Sequence, residues 1–390
     1  MSIPSAIITL ADTMRTWRRH LHQFPETAFA EHSTAEYICS RLVDSGLAIH
    51  RGLAGTGVVA SLSSGSSDKA IALRADIDAL PIEEQNDFYY RSRNAGKMHA
   101  CGHDGHSAML LGAAHYLAQT RNFNGRVHFI FQPAEEGRAG AKQMLEDGLL
   151  DLFPVHSVYG MHNFPDIPAG HFAVKPGAMM AAFDCFEIQI TGQASHAAMP
   201  HLGKDPTIVA AQIITALQSI VARNIDPADA AVISITQMHA GNTWNAIPEA
   251  VVLRGTSRCY SSSVQAQLKT RIDELVRAIC SGYGVAARIV FNPENPGYPV
   301  TMNSERESRI AAQVATEIVG AEHVDLQPTP SMGSEDFAFI LQKKPGCYIW
   351  IGNGSSQGGC LLHNPNYDFN DDILPIGAAY WARLVETVLA

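Results

Sequence analysis

With 390 residues, 46% of them hydrophobic and only 17% charged, the chain can bury a large core, and its length exceeds what a single domain usually holds, so two domains are expected. Its formal net charge of -10, with acids and bases interspersed, excludes the clustered Lys and Arg that nucleic acid or an anionic membrane requires of a partner. The 7 cysteines are scattered and form no Cys-x-x-Cys pair, which fits a reducing compartment where thiols stay free.

The first twenty residues set Ile7, Ile8, Leu10, Met14 and Trp17 among Asp12, Arg15, Arg18 and Arg19. A secretory leader carries its basic residues before an apolar run. Here they follow it, and no later window offers about 18 uninterrupted apolar residues, so a cytoplasmic protein with no membrane span is expected. Apolar residues recurring at three and four predict helices over 34–42, 107–118, 139–145, 306–319 and 376–389, and apolar runs predict buried strands over 70–74, 126–131, 157–161 and 347–351. Strands alternating with helices imply an α/β domain with a mixed, mostly parallel sheet flanked by helices.

The middle segment reads differently: strand 183–190, helix 207–222, strands 231–237 and 251–258, helix 264–280, strand 287–291. That βαββαβ order is ferredoxin-like. It interrupts the α/β pattern, so residues 183–295 are expected to form an inserted satellite domain, a lid or dimerisation module, within a discontinuous domain of residues 1–182 and 296–390. Gly and Pro at 176–177 and 293–299 supply the two hinges.

Polar residues collect where the predicted strands end. Asp76 and Asp78 follow the first strand, Glu135 and Glu136 the second, His162 the third and His363 the fourth, while Cys101 and His103 immediately precede a helix. Open α/β sheets bind ligands beyond the carboxyl ends of their strands. A lone His or a Glu-Glu pair is ordinarily a surface or core feature. Metal-binding side chains at four apolar strand ends, with three imidazoles in the eight residues His-Ala-Cys-Gly-His-Asp-Gly-His (99–106), are not explained by solvation. A thiolate, imidazoles and a carboxylate suit Zn²⁺ or Mn²⁺, with Co²⁺ or Ni²⁺ as further candidates, over Mg²⁺ or Ca²⁺. Five ligands exceed a structural zinc's four and are more easily placed around two divalent ions. Glu135 and Glu136 project differently from an extended backbone, so one can bind metal while the other carries a proton between water and the leaving nitrogen.

These residues lie in segments that together closely resemble the metal-dependent N-acyl-amino-acid amidohydrolases: the hippurate hydrolases, aminoacylases and auxin-conjugate hydrolases, relatives of carboxypeptidase G-type metallopeptidases. The segments are Arg74-Ala-Asp-Ile-Asp-Ala-Leu-Pro81, residues 98–106, Phe131-Gln-Pro-Ala-Glu-Glu-Gly137, Gly160-Met-His-Asn163, Ser195-His-Ala-Ala-Met-Pro-His201, Met332-Gly-Ser-Glu-Asp-Phe337 and residues 362–370. The likeness spans nearly the whole chain. It implies Cys101, His103, Glu136, His162 and His363 as metal ligands, Glu135 as general base, and His196 as the group that stabilises the oxyanion. It also implies that Asn245 and Arg258 contact the substrate carboxylate, Arg with the fork that suits it. Asp78 and Asp104 are expected to orient ligand imidazoles. Gln193, Ser257 and Cys185 depart from the family pattern and bear on acyl and side-chain preference.

The expected activity is hydrolysis of N-acetyl, N-benzoyl or related N-acyl-L-amino acids by two divalent metal ions per subunit, the partners being that small substrate and, through the insert's exposed sheet edge, a second copy. Two other readings keep the same residues: a metal-independent thiol amidase using Cys101, and a catalytically silent metal-binding scaffold.

Overall fold

The structure is a computed structural model that describes residues 2–354 and 361–390. Its contacts divide the chain into two compact units, Met1–Met179 with Met302–Thr329 and Asp336–Ala390, and Met180–Thr301 with Pro330–Glu335. Cys360 lies outside the described residues; the other cysteines are free thiols, all buried except the half-buried Cys185.

The first unit opens with helices α1 (Ala11–Gln23) and α2 (His32–Leu42), then β1 (Ala48–Leu53), β2 (Gly57–Ser64) and β3 (Ala70–Asp76). Helix α3 (His103–Thr120), β4 (Gly125–Gln132), α4 (Gly140–Glu146), β5 (Ser157–Phe164) and β6 (Phe172–Ala173) follow. The second unit holds β7 (Ala182–Thr191), α5 (Pro206–Asn224), β8 (Ala231–Ala240), β9 (Ala250–Cys259), α6 (Ser262–Gly282) and β10 (Ala286–Phe291). The chain returns to the first with α7 (Glu305–Val319), β11 (Val324–Asp325), β12 (Gly346–Gly352) and α8 (Leu374–Val388).

The first unit's sheet runs β1-β2-β4-β3-β5-β12-β6-β11. Its centre, β4-β3-β5-β12, is parallel. Every residue of β3 and of β12 is buried, as expected where helices cover both faces and strands read as continuous apolar runs. The antiparallel β1-β2 hairpin was not legible in the sequence, because β1 is mostly exposed and lacks an apolar alternation. Helix α3 is nearly apolar all round and buries almost its whole length against α1 and α8.

In the second unit, β7 buries alternate residues, and the antiparallel sheet runs β8-β9-β7-β10, the strand order of a ferredoxin-like unit. Helix α5 starts at Pro206, and the Asp205 side chain accepts from the Thr207 N–H, an N-cap. It is long and apolar enough by length and composition to cross a membrane, and here it packs one face, Val209, Ala210, Ile213, Leu217 and Ile220, inward. The exposed outer half of β8, Thr236 to Ala240, forms the sheet edge. The second unit also claims Pro330–Glu335, which no local pattern announces: Tyr260 donates to the Pro330 carbonyl and Arg258 to that of Met332.

Candidate metal centre

The parallel strands deliver their polar ends to one edge of the first unit. β3 ends on Asp76, and the Ile77 N–H returns to the Gln132 carbonyl at the end of β4. After Gln132 and Pro133, Ala134 adopts left-handed backbone (φ 56°) and turns the chain into Glu135 and Glu136. His162 lies within β5. The His363 N–H donates to the Ala100 carbonyl, which sets it beside the Cys101 segment in a left-handed conformation (φ 65°), strain of a kind concentrated at functional sites. Gly102, between Cys101 and His103, has φ 91°, and a Cβ there would lie 2.3 Å from Asn163 Oδ1, so only glycine fits.

All five expected ligands converge. Cys101 Sγ is 3.5 Å from His162 Nε2, and ligand atoms of Cys101, Glu136 and His363 lie within 4.8 Å of one another, as do those of His103, Glu135 and Glu136. His363 Nε2 is 3.3 Å and His103 Nε2 3.9 Å from Glu136 Oε1. His103 Nδ1 donates to the Asp78 carbonyl at 2.8 Å and His162 Nδ1 to the Asn163 carbonyl at 2.7 Å. Each ring therefore turns Nε2 toward the cluster, the nitrogen that a metal would take in place of a proton. His103 Nε2 and Glu136 Oε1 are buried without a hydrogen-bond partner among the described residues, an arrangement that costs free energy unless a cation satisfies it.

Charge points the same way. Burial opposes ionisation of His103, yet Asp76, Asp78 and Glu136 outweigh it and raise the imidazole to about 10. Burial, with Glu136, Glu135 and Asp76, pushes the Cys101 thiol well above its usual range. A thiol nucleophile needs the opposite shift, whereas a bound dication would convert the thiol to a thiolate ligand. The donor set fits divalent metal.

A second ring of buried groups holds the first. Asp78 accepts from the Glu136 N–H at 2.9 Å and lies 3.3 Å from His103 Nδ1, so it meets both the Glu135–Glu136 turn and the His103 imidazole. Asp104 instead faces α1, accepting from His22 Nδ1 at 2.8 Å and lying 3.7 Å from Arg18; one step along α3 from His103 turns its side chain about 100° away. No hydrogen bond joins it to a ligand imidazole among the described residues. Asp76, which the sequence sets at a strand end, and His106, one of the motif's three imidazoles, carry no metal role in the sequence reading. Ligand atoms of both lie within 4.8 Å of those of His103 and His162, but His106 uses both nitrogens, Nδ1 with Asp76 at 2.5 Å and Nε2 accepting from the Asn163 N–H at 3.0 Å. The motif offered three imidazoles: tertiary hydrogen bonds set His106 apart from His103, while His99 is buried with neither nitrogen hydrogen-bonded among the described residues and belongs to none of the clusters. Glu31, also not foreseen, is fully buried, accepts from the Ala134 N–H at 2.9 Å, and is pushed by burial up to about 7.

The remaining expected residues sit in the second unit. Ser195–His196 pairs antiparallel with Ala246–Ile247, and the Ala197 N–H donates to the Asn245 carbonyl, so His196 and Asn245 occupy one exposed corner. Arg258 donates to the Met332 carbonyl at 2.6 Å and lies over the Phe183 ring at 4.7 Å.

An α/β sheet that gathers a thiol, three imidazoles and adjacent carboxylates at its carboxyl edge has the donor set of a metal-dependent hydrolase. The chain belongs to the Peptidase family M20/M25/M40, whose model matches residues 72–387. It is 38% identical over 384 residues to a hippurate hydrolase of Campylobacter jejuni subsp. jejuni, covering 98% of each chain. It is 39% identical over 381 residues to an N-acetyl-L-cysteine deacetylase of Bacillus subtilis, covering 97% of this chain and 89% of that one. The crystal structure of a Bacillus subtilis protein described as a dinuclear metal-binding peptidase of the M20 family superposes with a TM-score of 0.85 at 35% identity, covering 98% of this chain and 99% of that one.

Proposed function

We propose that this amidohydrolase cleaves the amide bond of N-acyl-L-amino acids, releasing a carboxylic acid and a free amino acid. The observation that carries the chemistry is the convergence of Cys101, His103, Glu136, His162 and His363, with both buried imidazoles committed at Nδ1 and turning Nε2 toward the cluster. The substrate class is supported by relatives named for hippurate and N-acetyl-L-cysteine, each an N-acyl amino acid. Those five residues would hold two divalent ions, as the dinuclear relative's description supports, with Zn²⁺ or Mn²⁺ favoured by the donor chemistry. When bound, such ions supply Lewis acidity and ease the deprotonation of water.

Glu135, buried and adjacent to the ligand Glu136, takes the proton from the attacking water and delivers it to the leaving nitrogen. Asp78 holds the His103 ring and the Glu136 N–H in register. His196 contributes a donor to the developing oxyanion, and Asn245 and Arg258 bind the substrate carboxylate.

The test is a panel of N-acetyl, N-benzoyl and N-indolylacetyl amino acids assayed with metal-loaded protein and with Glu135→Gln. Turnover of at least one class is expected, with kcat lowered by about 10²–10⁴-fold in the variant and abolished by chelation. No turnover on any member, or a Glu135→Gln variant as fast as the parent, sinks the reading. Activity that survives chelation and dies with iodoacetamide would instead indicate a Cys101 nucleophile.

A further inference from the structure

The turn that carries Glu135 and Glu136 is irregular throughout. Ala134 has φ 56°, Glu136 non-helical backbone (φ -67°, ψ 82°), Gly137 φ 74° and Ala139 φ 54°. Left-handed backbone is unfavourable for residues with a Cβ, so a turn of this kind persists only where its surroundings over-determine it. Buried carboxylates do so here. Glu31 Oε1 accepts from the Ala134 N–H at 2.9 Å, Asp78 Oδ2 from the Glu136 N–H at 2.9 Å, and Asp336 Oδ2 from the Ala141 N–H at 2.9 Å.

Glu31 is the most remote of the three in function, and nothing in the chemistry above uses it. Its Oε1 also accepts from the N–H of Phe29, a second left-handed residue (φ 63°), at 3.0 Å, and its Oε2 accepts from Thr56 Oγ1 at 2.6 Å. One buried side chain thus ties three chain segments together and holds two strained residues. Its position makes this unexpected. Glu31 is the N-cap residue of α2, yet it makes no side-chain cap. Glu26 caps that helix, accepting from the Ser33 and Thr34 N–H groups. The capping duty sits elsewhere, so the Glu31 side chain can cross to Ala134.

We infer that Glu31 is a positioning residue whose carboxylate locks the left-handed turn at Ala134 and thereby aims Glu135 and Glu136. The inference rests on the proposed roles of those two glutamates. It makes the acceptor oxygen, not the charge, the essential feature. Glutamine keeps an oxygen for the Ala134 and Phe29 N–H groups and offers an NH₂ to Thr56 Oγ1. Alanine removes all three contacts. Glycine at 134 adopts left-handed backbone without a Cβ penalty, so it should lessen the need for the lock.

The experiment compares the full-length, metal-saturated parent with Glu31→Gln, Glu31→Ala, Glu31→Ala/Ala134→Gly and Glu135→Gln, each well below its unfolding midpoint. Glu31→Ala is expected to lose about 10²-fold in kcat, the cost of misplacing catalytic groups by an ångström, with KM unchanged. Glu31→Gln should stay within about threefold of the parent, and Ala134→Gly should restore about tenfold to the alanine variant. Amide exchange of the metal-free proteins gives a readout independent of turnover: the peptide 135–141, which follows the Ala134 N–H that Glu31 accepts, should exchange about tenfold faster in Glu31→Ala. If the alanine variant does not fold, Glu31→Asp, with its carboxylate withdrawn by one methylene, should lose at least about tenfold in kcat.

A Glu31→Ala or Glu31→Asp variant within about threefold of the parent overturns the inference. So does a Glu31→Gln variant as impaired as alanine, a failure of Ala134→Gly to restore activity, or unchanged exchange over 135–141. Retained activity in Glu135→Gln would instead defeat the assignment of the base, a separate failure.

Discussion

Replacing Arg18 by Met should destabilise the first unit severely while leaving the metal ligands untouched. The guanidinium is fully buried and reaches Asp371 at 2.6 Å, Asp368 at 3.0 Å, the Phe369 carbonyl at 3.1 Å and Asp104 at 3.7 Å. Burial opposes its charge, but Asp368, Asp371 and Asp104 outweigh that and raise its pKa further, so the interaction stays charged across the working pH range. Removing one partner from a buried pair costs about 3–5 kcal/mol because the other charge is left uncompensated. Here each carboxylate keeps a second partner, Tyr90 for Asp368, Arg19 for Asp371 and His22 for Asp104, which places the electrostatic loss near about 3 kcal/mol. The Phe369 carbonyl loses a buried donor for about 1 kcal/mol more. A loss of about 4 kcal/mol lowers the unfolding midpoint of a unit this size by about 10 °C. Differential scanning calorimetry at pH 6 and pH 7.5, both below the His22 titration, should show the same drop at both, and Arg18→Lys, without the planar fork, should show about half of it. A midpoint within about 3 °C of the parent, or a lysine variant indistinguishable from it, would refute the reasoning.

His22 behaves differently because it titrates. Burial opposes its charge, but hydrogen bonds to Asp104 and Glu84 outweigh it and raise the imidazole to about 9. A folded-state value raised above the ordinary value of about 6.5 means that its stabilisation is complete below pH 6.5 and is lost as pH rises through 9, a loss of about 3 kcal/mol. Urea denaturation at pH 6 and pH 9.5 should show a loss larger in the parent than in His22→Gln by about that amount; parallel curves would count against it. Gly102→Ala should weaken metal binding and lower kcat by about tenfold each, since its Cβ would meet Asn163 Oδ1 at 2.3 Å and the Tyr367 hydroxyl at 2.8 Å. Metal titration followed calorimetrically measures the first effect, and an unchanged affinity would show that the 101–103 segment can shift without consequence.

Much of the molecule was legible in the chain because its signals are local. The buried strands β3, β4, β5 and β12 are continuous apolar runs, and the second unit announces its βαββαβ order through period-two strands and amphipathic α6, whose Val264, Leu268, Ile272 and Val276 recur every four residues. The ligand types, too, stand at strand ends where no solvated face explains them. What the chain alone could not decide are relations set by folding distant segments together. Whether His103 or His106 keeps a nitrogen for the cluster depends on which ring is already saturated, and Asp76 with Asn163, 57 residues away, saturates His106. Asp104 turned toward α1 because a helix rotates successive side chains apart, while Asp78, on the turn after β3, reached the His103 ring. Pro330–Glu335 joined the second unit through the side chains of Tyr260 and Arg258. Glu31 is the sharpest case: it stands at a helix N-cap, and only the approach of Ala134, 103 residues later, makes it a support for the pair of glutamates. Periodicity encodes which face of an element is buried; the partner that a buried polar group finds there is a property of the tertiary structure.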